Sequence, residues 1–222
     1  MKKDIFEVLM KYSTIIWDWN GTLLDDAPIS LCAVNHLFKE MGVRLISEEE
    51  YKEALDTPIS KFYDRFLRGR EYDFDALSDG FYAYIDSHSD SIPLHKGAKE
   101  ALERAKNAGA KQYILSAAWN DDIIPALKRF GVDKYIDGVW GACDREIGSK
   151  LERGVVEIKK LGADVKKCVL VGDTYHDFEC ARAIGADCLL ISCGHQDEKR
   201  IRLSGLEVYP TFEKMASALF SD

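Results

Sequence analysis

Five short apolar runs punctuate the chain, and each ends in small or acidic residues: TIIWDWNG, KQYILSAA, DGVWGA, KCVLVGDT and DCLLISCG. Runs of this length, rich in β-branched and aromatic residues and bounded by Gly, Asp and Ser, read as buried strands. Between them the apolar positions recur every three or four residues. In 97–110, Ala98, Ala101, Leu102 and Ala105 share one helical face and Gly109 supplies a stop. Segment 120–132 has an acidic first turn, Pro125 near its start and Gly131 at its end, and 153–163 and 176–186 each close on Gly-Ala. Strand alternating with helix predicts an α/β fold: a Rossmann-like parallel sheet covered by helices on both faces. Such sheets bind ligands at the carboxyl ends of their strands. Asp18, Ser116 and Asp173 all fall at predicted strand ends, so three distant residues should converge.

Residues 25–93 break this rhythm. They contain no strand-like run, and helical patterns cover 29–42, 47–56, 60–69 and 74–89, the second opening with a capping-box pair, Ser47 and Glu50. The expectation is an all-helical insert over 25–93, with Pro93 and Gly97 marking the return to a core made of 1–24 and 94–222. A length of 222 residues suits a core domain with a smaller insert. The net charge of −8 disfavours nucleic acid and anionic membrane surfaces as partners. No apolar run reaches the roughly 18 residues of a membrane span, and Asp4, Glu7 and Lys11 interrupt the N-terminal apolar residues, unlike a signal peptide. A cytoplasmic protein, monomer or homodimer, is expected. The six cysteines form no C-x-x-C pair and several lie in apolar runs, so they read as reduced, buried thiols.

Taken singly, the polar residues at the strand ends have ordinary explanations. An Asp there is a turn former or helix cap, a Ser is a satisfied hydroxyl, a loop Lys is solvated, and Asp177 is a first-turn helix acid. Taken in order they form D-x-N-G-T (Asp18, Asn20, Gly21, Thr22), then Ser116, then Lys150 in a loop, then G-D-x-x-x-D (Asp173, Asp177). This order resembles the four motifs of the haloacid dehalogenase-like hydrolase superfamily, with a helical cap inserted after the first motif, as in its phosphoglycolate-phosphatase-like members. The resemblance implies Mg²⁺-dependent hydrolysis of a small phosphorylated metabolite. Asp18 would attack phosphorus, with Asp18, the backbone carbonyl of Asn20, Asp173 and Asp177 around the metal. Ser116 and Lys150 would bind the phosphoryl group, and Gly21, Thr22, Ala117 and, from the insert, Thr57 and Lys61 would contact substrate.

The departure from the family pattern is Asn20, where most of its phosphatases carry a second Asp that moves the leaving-group proton. An amide orients but does not titrate, and general acid–base help is typically worth about 10²–10⁴-fold. Either the leaving group needs little protonation, or another acid among Asp25, Asp26, His95 and His176 serves, or turnover is slow and the chain is a phospholigand-binding or regulatory protein. Haloacid dehalogenation is a further alternative. Lys150-Leu151 also replaces the family's usual Lys-Pro. Phe62, Tyr63, Phe66, Trp17 and Trp19 read as packing residues, and His195 in SCGHQ as a surface loop residue.

Overall fold

The computed structural model describes residues 11–142 and 149–220. In chain order the elements are β1 (Thr14–Trp17), α1 (Ala27–Glu40), α2 (Glu48–Ala54), α3 (Ser60–Phe66), α4 (Phe74–His88), α5 (Ala98–Asn107), β2 (Lys111–Trp119), α6 (Asn120–Phe130), β3 (Gly138–Ala142), α7 (Lys150–Leu161), β4 (Cys168–Gly172), α8 (Tyr175–Ile184), β5 (Asp187–Ile191), α9 (Glu198–Ile201), β6 (Val208–Tyr209) and α10 (Phe212–Leu219). The strands form one parallel sheet in the order β3-β2-β1-β4-β5-β6.

Side chains alternate across a strand, so each strand feeds two cores. Ile15, Trp17, Val169 and Val171 pack with α5, α6 and α10 on one face. Ile16, Cys168 and Leu170 pack with α7 and α8 on the other. Burial on both faces is why the strands read as unbroken apolar runs. Helices α1 to α4 gather a separate cluster that includes Val34, Phe38, Tyr51, Phe62, Tyr63 and Leu67. Their aromatic rings are therefore packing residues, as expected, and so are Trp17 and Trp19.

Three local readings change. Lys150 is not in a loop but is the first residue of α7, where Ser149 and Glu152 form a capping box; S-K-L-E carries that signal in the sequence. Pro125 lies inside α6, not near its start. β2 runs past Ser116 to Trp119, with a register shift against β3 between Leu115 and Trp119. The short β6 and helices α9 and α10 follow the last predicted strand. Cys168 and Cys180 are buried, Cys188 and Cys193 are half-buried and Cys32 is exposed, all five as free thiols; Cys143 lies outside the described residues. Among those residues no helix is long and apolar enough to cross a membrane.

Candidate active site

β1 is central, with Trp17 in register with Ile114 of β2 and Val171 of β4. Asp18 follows it directly, its N–H donating to the Val171 carbonyl at 2.9 Å. The chain then turns tightly, and the Trp19 carbonyl accepts from the N–H groups of Thr22, Leu23 and Leu24 at 3.3, 3.0 and 2.9 Å. Gly21 sits at φ +73°, and a Cβ there would come within 2.3 Å of Asp173 Oδ2 and 2.5 Å of the His195 ring. Only glycine lets this turn press against Asp173. Asp173 follows β4. Asp177 is in the first turn of α8, where it completes a capping box with Thr174. Its Oδ2 accepts from the Thr174 N–H at 3.0 Å, the Thr174 hydroxyl at 2.7 Å and the Asp173 N–H at 3.2 Å. α7 delivers Lys150 from the other side, where its Nζ donates to Asp18 and, at 2.5 Å, to Asp177.

One carboxylate oxygen from each of Asp18, Asp173 and Asp177 lies within 4.8 Å of the others. Asp18 is 6% exposed and the other two 0%, so water screens little of their repulsion. Burial holds the Asp18 carboxyl well above the usual range, with Asp177 and Asp173 adding to the rise and Lys150 opposing it. Burial and the Asp177 charge likewise raise Asp173, against the pull of His195. Burial works against charge on Asp177 too, but Lys150 and the Thr174 bonds outweigh it and lower its pKa. For Lys150, burial is overcome by Asp177 and Asp18, and the ammonium is held. Three buried carboxylates against one ammonium leave surplus negative charge. All-oxygen donors of this kind fit a hard divalent cation.

A second polar layer adjoins the first. Asn20 Nδ2 donates to Asp26 Oδ2 at 2.6 Å, and the Gly21 N–H donates to Asp26 Oδ1 at 2.7 Å. His195 Nε2 lies 3.0 Å from Asp26 Oδ1, its Nδ1 lies 2.9 Å from the Tyr51 hydroxyl on α2, and its backbone N–H donates to Asp173 Oδ2 at 2.7 Å. His195 is therefore a buried cross-link and not a surface loop residue. Burial opposes its charge, but Tyr51, Asp26 and Asp173 raise its pKa well above the ordinary histidine value. Burial would raise Asp26, yet His195, Asn20 and the Gly21 N–H lower it. Of the other candidate proton carriers, His95 Nε2 lies 3.1 Å from the Gly21 carbonyl and 3.9 Å from Asp25. His176 pairs with Glu179 at 3.0 Å.

The remaining expected residues divide. Thr22 is buried, and its hydroxyl lies 3.2 Å from Asp18 Oδ2 and 2.9 Å from Asp173 Oδ1. The Ser116 hydroxyl accepts from the Ala118 N–H at 3.1 Å and its carbonyl accepts from Arg153 at 2.7 Å. Ala117 lines a cavity of about 690 Å³ together with Asn20, Asp26, Tyr51 and His195. Thr57 and Lys61 are exposed and do not line that cavity; Lys61 donates to the Thr57 carbonyl at 2.7 Å. Sequence reasoning passed over Tyr51, since an aromatic on an amphipathic helix carries only a packing signal, and over Arg153, since a helix arginine usually reads as solvated.

The family model described as haloacid dehalogenase-like hydrolase matches residues 15–191. The chain belongs to that family. It is similar to the phosphoglycolate phosphatase of Mesorhizobium japonicum, 22% identical over 85% of this chain and 86% of the relative. It is also similar to the pyrophosphatase PpaX of Halalkalibacterium halodurans, 20% identical over 87% of this chain and 89% of the relative. The fold is shared with a haloacid dehalogenase-like hydrolase of Streptococcus pneumoniae, with a TM-score of 0.78 and 17% identity, covering 94% of this chain and 98% of that one. CbbY from Rhodobacter sphaeroides, solved with phosphate, superposes with a TM-score of 0.73 at 18% identity, covering 92% and 96%. The chain is thus a hydrolase by family, and the curated relatives named here are phosphatases.

Proposed function

We propose that this protein hydrolyses small-molecule phosphate monoesters through an aspartyl-phosphate on Asp18, with Mg²⁺ bound. The observation that carries this reading is the meeting of the Asp18, Asp173 and Asp177 carboxylates within 4.8 Å beside Lys150. Asp18, Asp173, Asp177 and the Asn20 carbonyl would hold the cation, whose charge offsets the repulsion between a carboxylate and a phosphate dianion. An Asp18 oxygen forms the new bond to phosphorus as the bond to the leaving oxygen breaks, and water then cleaves the acyl-phosphate. Lys150 neutralises charge on Asp18 and on the transferring group, and Ser116 donates to a phosphoryl oxygen. Residues 25–93 act as a cap over the core made of 1–24 and 94–222. Their separate apolar cluster supports that division, as do the bonds from the Asp197 N–H to the Lys52 carbonyl at 3.1 Å and from Gln196 to the Leu55 carbonyl at 3.0 Å.

Asn20 orients the leaving group or the water without moving a proton. One of its N–H groups is held by Asp26, which favours leaving groups that depart with little protonation. The same bond supports a second reading, a phospholigand-binding protein with weak turnover. Phosphate release from acetyl phosphate and aryl phosphates, with and without Mg²⁺, tests both. Many turnovers per chain that vanish in Asp18→Asn support the enzyme. Beryllium fluoride and Mg²⁺ forming a complex with no turnover on any ester would leave only the binder. Turnover unchanged in Asp18→Asn would end both assignments of Asp18.

A further inference from the structure

The cavity that opens from Asn20, Asp26 and His195 has walls unlike its floor. Trp19, Phe81, Tyr82 and Ile85 line it, with Ile59 from the start of α3 and Pro125 from α6. Two of these, Ile59 and Tyr82, keep 43% and 41% of their surface exposed. Large apolar groups left open beside a reaction centre are surface that a ligand would cover. The charged groups on the walls are mostly of one sign. Asp86 on α4 and Asp121 and Asp122 on α6 all line the cavity, and Asp122 lies close enough to Asp86 and Asp121 for their charges to reinforce the effect of burial on its carboxyl. Among the described residues on those walls, the cations are Arg129 and His195. Arg129 pairs through Nη1 with the exposed Asp90 at 3.2 Å and lies 4.8 Å over the Phe130 ring. Both ring nitrogens of His195 are engaged by Tyr51 and Asp26.

Resting on the phosphatase reading above, we propose that this cavity selects phosphate monoesters whose leaving group has a bulky apolar body and no anionic group of its own. The selection has an attractive part and a repulsive part. The aromatic and aliphatic walls cover the body of the leaving group. The three carboxylates outnumber the one guanidinium on the walls, Arg129, so a second anion meets net repulsion there. A small leaving group bearing a carboxylate or a second phosphate meets the repulsion and uses little of the wall. Phosphoglycolate, an ester with a carboxylate, and pyrophosphate, an anhydride whose leaving group is itself phosphate, are the compounds for which two of the relatives are named, so the inference separates this chain from them in substrate choice while keeping phosphoryl transfer to water.

A matched pair of esters tests it: phenyl phosphate and 4-carboxyphenyl phosphate, which share an aryl body and differ in one charge. The expected result is a kcat/KM at least about 10-fold higher for phenyl phosphate, and higher than for phosphoglycolate or pyrophosphate. Asp122→Lys should narrow the gap within the aryl pair by at least about 5-fold. Asp122→Asn, the gentler change, should move the ratio in the same direction. Equal rates on the aryl pair, a preference for the carboxylated ester, or a ratio indifferent to both substitutions would overturn the inference. Binding keeps the two claims apart. In Asp18→Asn with Mg²⁺, calorimetry should show tighter binding of phenyl phosphate than of its carboxylated partner. That selectivity in a wild-type protein that turns over no ester sinks the phosphatase reading alone, whereas turnover without selectivity sinks this inference alone.

Discussion

The two ends of the parallel sheet use the same residue types to opposite effect. At the amino end, Asp137 just before β3 accepts from Lys106 at 3.2 Å, Lys111 at 3.0 Å and the Gln112 N–H at 3.0 Å. Asp187, which opens β5, accepts from Lys11 at 2.9 Å and the Tyr12 hydroxyl at 2.7 Å. There, two carboxylates meet three ammonium groups, and the lysines Lys11 and Lys111 are mostly solvated, with side chains 65% and 63% exposed. At the carboxyl end, three carboxylates meet and one ammonium pairs with two of them, and the side chains of Asp18, Asp177 and Lys150 are at most 9% exposed. The first end is balanced and needs nothing further. The second concentrates surplus charge out of water, a state that a protein keeps when something of opposite charge is meant to complete it.

Substitutions on the carboxyl end should accordingly be severe. Asp18→Asn should lower phosphate release by at least about 10³-fold with little effect on folding, because the isosteric amide keeps the shape and removes the proposed nucleophile. A single-turnover assay checks whether any phosphoryl-enzyme remains. Lys150→Met removes the one cation that two carboxylates share. Without metal this should cost about 3–5 kcal/mol of stability, the usual penalty for stranding buried charge, and the rise in Tm on adding Mg²⁺ should be larger than in wild type. An unchanged Tm in chelator would mean that the cluster is less strained by its charge than its burial implies.

Asn20→Asp should have a more modest effect with the opposite sign, a gain of about 10-fold or more in hydrolysis of a poor-leaving-group ester and much less for acetyl phosphate. Mass spectrometry of the wild-type sample is the control, since Asn20 precedes Gly21 and its deamidation would mimic the variant. No gain would point to Asp26, already bonded to the amide, as the group that carries the proton.

The smallest expected effect lies at the balanced end. Burial works against charge on Asp137, but the Gln112 N–H and the two lysines hold its carboxyl below the usual range. A group with a depressed folded-state pKa stabilises the fold above its unfolded value, about 4, and loses that contribution as the pH falls through the folded value. Asp137→Asn should therefore cost about 1 kcal/mol at neutral pH, with the gap to wild type closing as the pH drops below about 4. Urea titrations at two pH values check this, and activity should not change.

Much of this contrast was legible before any coordinates. The strand runs and their alternation with helices pointed to a parallel sheet, and the order of the polar residues, through its resemblance to the haloacid dehalogenase-like motifs, pointed to a site built from Asp18, Asp173, Asp177 and Lys150. Each of these signals is short-range: a period, a glycine turn, a capping pair. His195 shows where that kind of signal stops. It stands in a glycine-flanked loop that looks exposed, and its partners Tyr51 and Asp26 are 144 and 169 residues away. Thr22 lies in the first motif, but only the turn at Gly21 shows its hydroxyl against two carboxylates. Lys61 falls on an expected helical segment and Thr57 just before it, but helical periodicity does not say which residues look into the cleft.

By itself the sequence determined the elements, because strand and helix are set by local periodicity and by residues such as Gly21 that permit one backbone path. It also offered the residues that could carry chemistry, since carboxylates at strand ends and a lysine beside a capping signal are there to be read. Only the tertiary structure decided that Asp26 answers the amide of Asn20, that His195 ties α2 to the site, and that apolar walls with acidic neighbours stand over it. Those facts depend on how separate elements pack and on how burial strengthens each charge, and neither is a property of any short stretch of chain.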